Sequence, residues 1–241
     1  MKGGYKVKLC GTTNMADMKL AAQQGADYFG TVIEVDFSPR SLAVEAAAEL
    51  FAAAPLPAVA LVYQMPEARL KYLIQTLNPF AVQFLSQDDL DRVRRLHQDF
   101  PKVQLWQSIH LPALGEPADL EAAKIRVQEY IQAGIDLLLY DTVATVAGQQ
   151  KFGGTGRVSD WSAVRRLMAE IKCEIPVFLA GGINPGNVAQ ALTAVNPDGV
   201  DLCSGVEAVA GQKDPEKVAR LMSIVRAHTR DEVIHRKEVS Q

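Results

Sequence analysis

The sequence predicts an α/β fold, a single (β/α)8 TIM barrel, on three observations. Short apolar runs rich in β-branched and aromatic residues recur along the chain, each followed by a longer stretch with helical periodicity. Eight such pairs succeed one another with no Pro/Gly/Ser-rich linker between them, and 241 residues is a common length for one closed barrel. Runs such as Val177–Phe178–Leu179–Ala180 are apolar throughout, which implies a parallel sheet covered on both faces. An open doubly wound sheet shares the alternation. It normally carries a glycine-rich dinucleotide loop after its first strand, where this chain has Leu9–Cys10–Gly11–Thr12–Thr13.

The first strand, Tyr5–Leu9, leads into a helix over Asn14–Gln24. Asn14 suits the N-cap, and Gly25 stands where a left-handed residue ends the helix. Strands over Tyr28–Ile33 and Pro57–Val62 alternate with helices over Val44–Ala54 and Pro66–Thr76. Ala81–Phe84 precedes a helix over Asp88–Asp99 with Asp88 as its cap, and Val103–Ile109 precedes a helix over Leu120–Ala133 closed by Gly134. The last three units pair Leu137–Tyr140 with Trp161–Lys172, Val177–Ala180 with Pro185–Ala194, and Gly199–Cys203 with Asp214–Ala227. Pro185 and Pro215 fit the first helical position, where a missing N–H is harmless. The barrel is thus expected over residues 1–229, with a polar, frayed tail over Arg230–Gln241.

Composition narrows the function. Twenty-five basic against 28 acidic side chains give a net charge of −3 with no basic block, so the footprint of a nucleic-acid binder is missing. The start lacks a signal-peptide core, and the most apolar region, Leu42–Tyr63, is broken by Glu45, Glu49, Pro55 and Pro57, so no membrane partner is expected. Cys10, Cys173 and Cys203 form neither a close ligand pair nor an even disulfide framework, which points to free thiols in the cytoplasm. His97, His110, His228 and His235 show no metal-ligand spacing, and no metal is expected. No strand is read as carrying an interior lysine, and Lys151 falls in a loop, which disfavours Schiff-base aldolase chemistry.

In such a barrel, chemistry belongs in the loops after the C-terminal ends of strands. Cys10 follows the first strand and can act as base or nucleophile if positive potential lowers its pKa, whereas Cys173 and Cys203 read as packing thiols. Asp141 ends the run Leu137–Tyr140 and is either a general acid, its pKa raised by burial, or a loop-ordering carboxylate. Together, on opposite walls, they make an acid–base pair suited to moving protons on a sugar or keto acid. Gly181–Gly182 and Ser204–Gly205 follow the seventh and eighth strands, where barrels hold phosphate on backbone N–H groups; tight turns with positive φ are the alternative. Gly153–Gly154–Thr155–Gly156, in the long connection before Trp161, reads as a lid, with Gly154 counted among the substrate contacts. Arg40, after Ser38–Pro39, is either a fork for a substrate carboxylate or a surface arginine.

An ordered set of segments carries a family resemblance over about the first 225 residues. The set comprises Lys8–Thr13 with Asp17, Gly25–Ala26–Asp27 to Gly30, Ser38–Pro39–Arg40, Asp141, Gly153–Gly156 with Asp160–Trp161, Ala180–Ile183 with Asn187, and Asp201 to Glu207 running into Lys213–Asp214–Pro215. The chain resembles the phosphoribosylanthranilate isomerases of tryptophan biosynthesis. The resemblance implies a cofactor-free Amadori rearrangement of a phosphoribosyl substrate, with Asp141 as the acid that opens the furanose ring and Cys10 as the base that removes the C2′ proton. It also implies that Gly182 and Gly205 hold the phosphate and that Arg40 meets the anthranilate carboxylate. The chain is expected to work as a monomer or a homodimer.

Two segments depart from the family pattern. The fourth strand usually ends in Gln-Leu-His-Gly, and here it reads Gln83–Phe84–Leu85–Ser86; the second leads into Glu34–Val35–Asp36, a more acidic loop than the family norm. Two other readings stand beside the first: an isomerase of another phosphoribosyl amine, and a catalytically silent barrel that binds a phosphorylated metabolite.

Overall fold

Each apolar run forms a strand and each periodic stretch a helix, in the expected alternation. The computed structural model describes residues 4–116, 119–146, 149–152, 160–171 and 174–229. The barrel strands are β1 (Lys6–Leu9), β2 (Tyr28–Ile33), β3 (Ala58–Val62), β4 (Ala81–Phe84), β5 (Gln104–Pro112), β6 (Leu137–Val146), β7 (Val177–Leu179) and β8 (Gly199–Leu202). Between them run α1 (Met15–Gln23), α2 (Val44–Ala52), α3 (Glu67–Leu77), α4 (Leu90–Asp99), α5 (Leu120–Ala133), α6 (Trp161–Ile171) and α7 (Val188–Val195), and α8 (Pro215–Ala227) ends the series.

Neighbouring strands pair in parallel in chain order, and β1 closes the ring. Its Lys8 and Leu9 lie beside Tyr28 and Phe29 of β2, and its Lys6 to Leu9 lie beside Gly199 to Leu202 of β8. Two apolar bodies result. The outward strand positions pack with the helices around Leu9, Phe29, Ile33, Leu70, Leu105, Tyr130 and Leu192. The inward positions Val32, Val59, Leu61, Trp106, Leu139 and Phe178 fill the barrel. Both faces of the strands are therefore buried, which is why their hydropathy does not alternate.

Several boundaries differ from the sequence reading. β5 and β6 stay paired from Trp106 beside Leu137 to Pro112 beside Val143, and Gln149–Phe152 folds back antiparallel on Val143–Val146. The β-branched run Thr142–Val143–Ala144–Thr145–Val146 sustains the strand beyond Tyr140. Asp141 thus lies within a strand, and Lys151 is in an antiparallel strand where a loop was expected. Asp89, not Asp88, caps α4 by accepting from Arg92 N–H at 2.8 Å. Pro185 precedes α7, because the Asn184 side chain accepts from Gly186 N–H at 2.8 Å in a turn that delays the helix to Val188. Asn14 caps α1, Asp214 with Pro215 starts α8, and Gly25 and Gly134 take the left-handed conformation. Gly153–Gly156 with Gly154, Cys173 and the tail over 230–241 lie outside the described residues. No helix among the described residues is long and apolar enough to cross a membrane.

Candidate active site

Cys10 follows β1, and its N–H donates to the Leu202 carbonyl at 2.7 Å. The β1–β8 register, Leu9 beside Leu202, brings Cys10 beside Cys203. Both side chains face the barrel mouth, since Lys8 and Asp201, two residues earlier on each strand, pair inside the barrel. Cys203, just after β8 with the parity of Asp201, packs partly buried against the apolar cluster inside the barrel, as expected of a packing thiol. The neighbouring Cys203 thiol holds Cys10 below the ordinary thiol range; burial opposes this, and the Lys8 and Lys213 ammoniums reinforce it. Cys203 moves the other way, pushed well up by its pairing with Cys10 and by burial.

Asp141 lies on β6 beside His110 of β5, and its Oδ1 accepts from Thr142 N–H at 2.7 Å. Burial raises its pKa above the usual carboxylate value, while His110 and the Thr142 N–H pull it back. One group is thereby shifted towards ionisation and the other towards protonation, the arrangement a paired base and acid need.

The two glycine turns pack edge to edge between them. Gly181 and Gly182 have φ of +83° and +65°, and a Cβ on Gly181 would lie 2.0 Å from Thr142 Oγ1 of β6. A Cβ on Gly205, inside the single 3₁₀ turn Ser204–Val206, would lie 2.0 Å from the Ile183 carbonyl. Asn184 and Asn187 amides donate to the Gly182 carbonyl at 3.2 and 3.0 Å and fix the first turn. Around the ring the order is Asp141 on β6, the turn after β7, the turn after β8, and Cys10 after β1.

Arg40 is not a surface arginine. Its Nε donates to Glu207 Oε1 at 2.9 Å and its Nη2 to Oε2 at 2.5 Å, and Lys213 Nζ donates to the same carboxylate at 3.0 Å. Burial works against the Glu207 charge, but Arg40 and Lys213 outweigh it and hold the carboxyl below its ordinary range. Gly11 makes room for this arm, because a Cβ there would lie 2.6 Å from Arg40 Cδ and 2.7 Å from Cys203 Sγ.

The profile of the N-(5′-phosphoribosyl)anthranilate isomerase family matches residues 7–223. The chain belongs to this family. A relative so named from Methanocella arvoryzae is 31% identical over 92% of this chain and 98% of its own length. Another from Methanosarcina acetivorans is 36% identical over 92% of this chain and 93% of its own. Among solved structures, the phosphoribosyl anthranilate isomerase of Thermococcus kodakaraensis superposes with a TM-score of 0.75 at 28% identity, over 93% of this chain and all of that one. A phosphoribosyl anthranilate isomerase in complex with reduced 1-(o-carboxyphenylamino)-1-deoxyribulose 5-phosphate shares the fold, with a TM-score of 0.73 at 23% identity over 93% of this chain and 100% of that one.

The two departures from the isomerase family pattern have structural answers. The fourth-strand loop lacks a histidine of its own, yet His110 of β5 reaches it, with Nε2 2.6 Å from the Leu85 carbonyl. Gln83 points inward and donates to Ser108 Oγ at 3.1 Å, and Ser86 Oγ accepts from Gln64 N–H at 3.2 Å. In the acidic second loop, Arg69 donates to Glu34 at 3.0 Å and holds its carboxyl below the ordinary range. That acid closes a structural bridge to α3.

Sequence reasoning missed Lys8. It is fully buried, and its Nζ donates to Asp201 Oδ2 at 2.8 Å inside the barrel. A β strand therefore does carry an interior lysine, against expectation. Burial opposes its charge, but Asp201 and Cys10 outweigh this and raise its pKa, so Lys8 stays an ammonium. A Schiff base needs the neutral amine, so aldolase chemistry remains disfavoured on a different ground. The signal was present: Lys6, Lys8 and Cys10 share one face at period two. Among the described residues, no group of three His, Cys, Asp or Glu side chains is placed to hold a metal.

Proposed function

We propose that the protein catalyses the Amadori rearrangement of N-(5′-phosphoribosyl)anthranilate to 1-(o-carboxyphenylamino)-1-deoxyribulose 5-phosphate, with Asp141 as general acid and Cys10 as general base. The observation that carries this reading is the ring order: two glycine turns on β7 and β8 stand between the acid on β6 and the base after β1. A phosphate on the backbone N–H groups of Gly182 and Gly205 sets the attached ribose between Asp141 and Cys10. The anthranilate ring then extends towards β3 and β4, across the ring from the glycine turns, where Tyr63 and Phe37 meet edge to face at 5.1 Å between centroids. Glu207 takes the Nε–Nη2 edge of Arg40, and the other edge of the planar fork faces the substrate carboxylate. No cofactor is required by this chemistry.

Asp141 gives its proton to the furanose oxygen, and the C1′–O bond breaks as the anilino nitrogen forms a C1′=N iminium. Cys10 thiolate takes the C2′ proton, whose bonding electrons complete the enolamine. Reprotonation at C1′ with loss of the C2′ hydroxyl proton gives the ketone. The test is loss of phosphoribosylanthranilate fluorescence beside Cys10→Ala and Asp141→Ala. Rapid loss with the wild type and a roughly 10²–10⁴-fold slower rate with either variant is expected. A wild-type rate no faster than buffer overturns the activity; full turnover by Cys10→Ala overturns the mechanism.

A further inference from the structure

Resting on the reading of Arg40 as the fork for the substrate carboxylate, we infer that Glu207 is a positioning residue: it holds the Arg40 guanidinium in its binding orientation, so that recognition of a carboxylate-bearing substrate depends on an acid that does not touch it. The two side chains come from different kinds of element. Arg40 lies in the loop after β2, where its own N–H donates to Ser38 Oγ at 3.3 Å. Glu207 opens a hairpin, Glu207–Val209 paired with Gln212–Lys213, that is tied to the barrel at three points. Lys217 Nζ of α8 donates to the Glu207 carbonyl at 2.8 Å, Lys213 N–H donates to Asp17 Oδ2 at 2.9 Å, and Lys213 Nζ donates to the Cys10 carbonyl at 2.5 Å. The anchored hairpin thus holds the loop residue across the end of β1.

The Glu207 side chain is 3% exposed, and its carboxylate accepts from Arg40 Nε and Nη2, Lys213 Nζ and Gly211 N–H, with the Cys203 thiol at 3.8 Å from Oε1. Among the described residues, the side-chain bonds of Arg40 all go to Glu207, from Nε and Nη2, and the arm is 14% exposed. A buried ion cluster of this kind is weak as a stabilising device, because desolvating its charges offsets their attraction. What it secures is direction. With the Nε–Nη2 edge fixed, the remaining N–H groups of the planar guanidinium present one fixed edge to a carboxylate. An arginine free in solvent loses rotamer freedom when it binds, whereas one already clamped by a bidentate bond has given up that freedom beforehand.

Isothermal titration calorimetry tests this with two ligands that differ by one group: reduced 1-(o-carboxyphenylamino)-1-deoxyribulose 5-phosphate, and its analogue made from aniline, which lacks the ring carboxylate. Wild type should prefer the carboxylate ligand. Glu207→Gln should cut that preference roughly 3–10-fold while the aniline analogue binds as before. Arg40→Met should abolish the preference, and adding Glu207→Gln to Arg40→Met should change it no further, because the acid acts only through the arginine. If Glu207→Gln folds poorly with two cations left around an amide, Glu207→Gln with Lys213→Met removes one of those charges and should show the same loss. An unchanged preference in Glu207→Gln, beside a lost one in Arg40→Met, overturns the proposal. Equal weakening of both ligands also overturns it, since that is what a purely structural role would give. An Arg40→Met protein that keeps the wild-type preference overturns instead the reading of Arg40 as the fork, and none of these readouts needs turnover.

Discussion

Towards the N-terminal ends of its strands, the barrel interior is closed by Tyr28, Trp106 and Phe178, whose rings stand 5.1–5.9 Å apart, with Phe80 against Tyr28 at 5.7 Å. Towards the C-terminal ends, the same ring of strands turns Lys8, Gln83, Ser108, Asp201, Cys10 and Asp141 into the same space. The floor gains by removing aromatic surface from water and by edge-to-face contact. The mouth holds buried charge that only its partners make tolerable, and Gln83 Oε1 and Asp201 Oδ1 find no hydrogen-bond partner there. One end of the barrel is therefore apolar and closely packed, and the other gathers buried polar and charged groups, at some expense in stability.

Substitutions at the two ends should separate these roles. Trp106→Ala, at a fully buried floor position, should cost about 3–5 kcal/mol and lower Tm by roughly 10 °C, while the pH profile of the folded enzyme keeps its midpoints. Calorimetry beside kinetics below the new Tm checks this. Lys8→Met leaves Asp201 buried without its partner and should cost about 3 kcal/mol, whereas Lys8→Met with Asp201→Leu should recover most of the loss; chemical denaturation of the three proteins decides it. Gly205→Ala drives a methyl into the Ile183 carbonyl, so KM should rise about tenfold or more with the circular dichroism spectrum retained.

The smallest effect has the opposite sign. The Asp141 pKa is raised in the folded state, so its stabilising contribution is present below the unfolded carboxylate pKa and lost as pH rises through the folded value. Asp141→Asn should therefore gain about 1 kcal/mol, or roughly 2–4 °C in Tm, at neutral pH and little at acidic pH, while turnover collapses. Equal Tm for both proteins at neutral pH would remove the strain assigned to the mouth.

The floor and the fold were legible in the sequence because their signals are local. Eight apolar runs, their lengths and their glycine and asparagine boundaries set the barrel, and Cys10 and the glycine pairs were located by their distance from a strand end. The extension of β6 to Val146 shows in the sequence only as the run Thr142–Val146, rich in β-branched residues, after Asp141. The mouth's charge pairing was harder to read. Lys8 meets Asp201 across 193 residues and Arg40 meets Glu207 across 167, so no short-range pattern announces either bond. The nearness of Cys203 to Cys10 was hidden for the same reason, since only the β1–β8 register places them side by side.

Cys10 and Asp141 are proposed as base and acid on a phosphoribosyl substrate held between them. The most direct test follows the fluorescence of freshly made phosphoribosylanthranilate with wild type, Cys10→Ala and Asp141→Ala, each confirmed folded, across a range of pH. A bell-shaped kcat/KM is expected for wild type, falling at low pH as the Cys10 thiolate is protonated and at high pH as Asp141 loses its proton. Each variant should be roughly 10²–10⁴-fold slower at the optimum. Wild-type decay no faster than in buffer, or a Cys10→Ala protein that keeps full turnover, would contradict it.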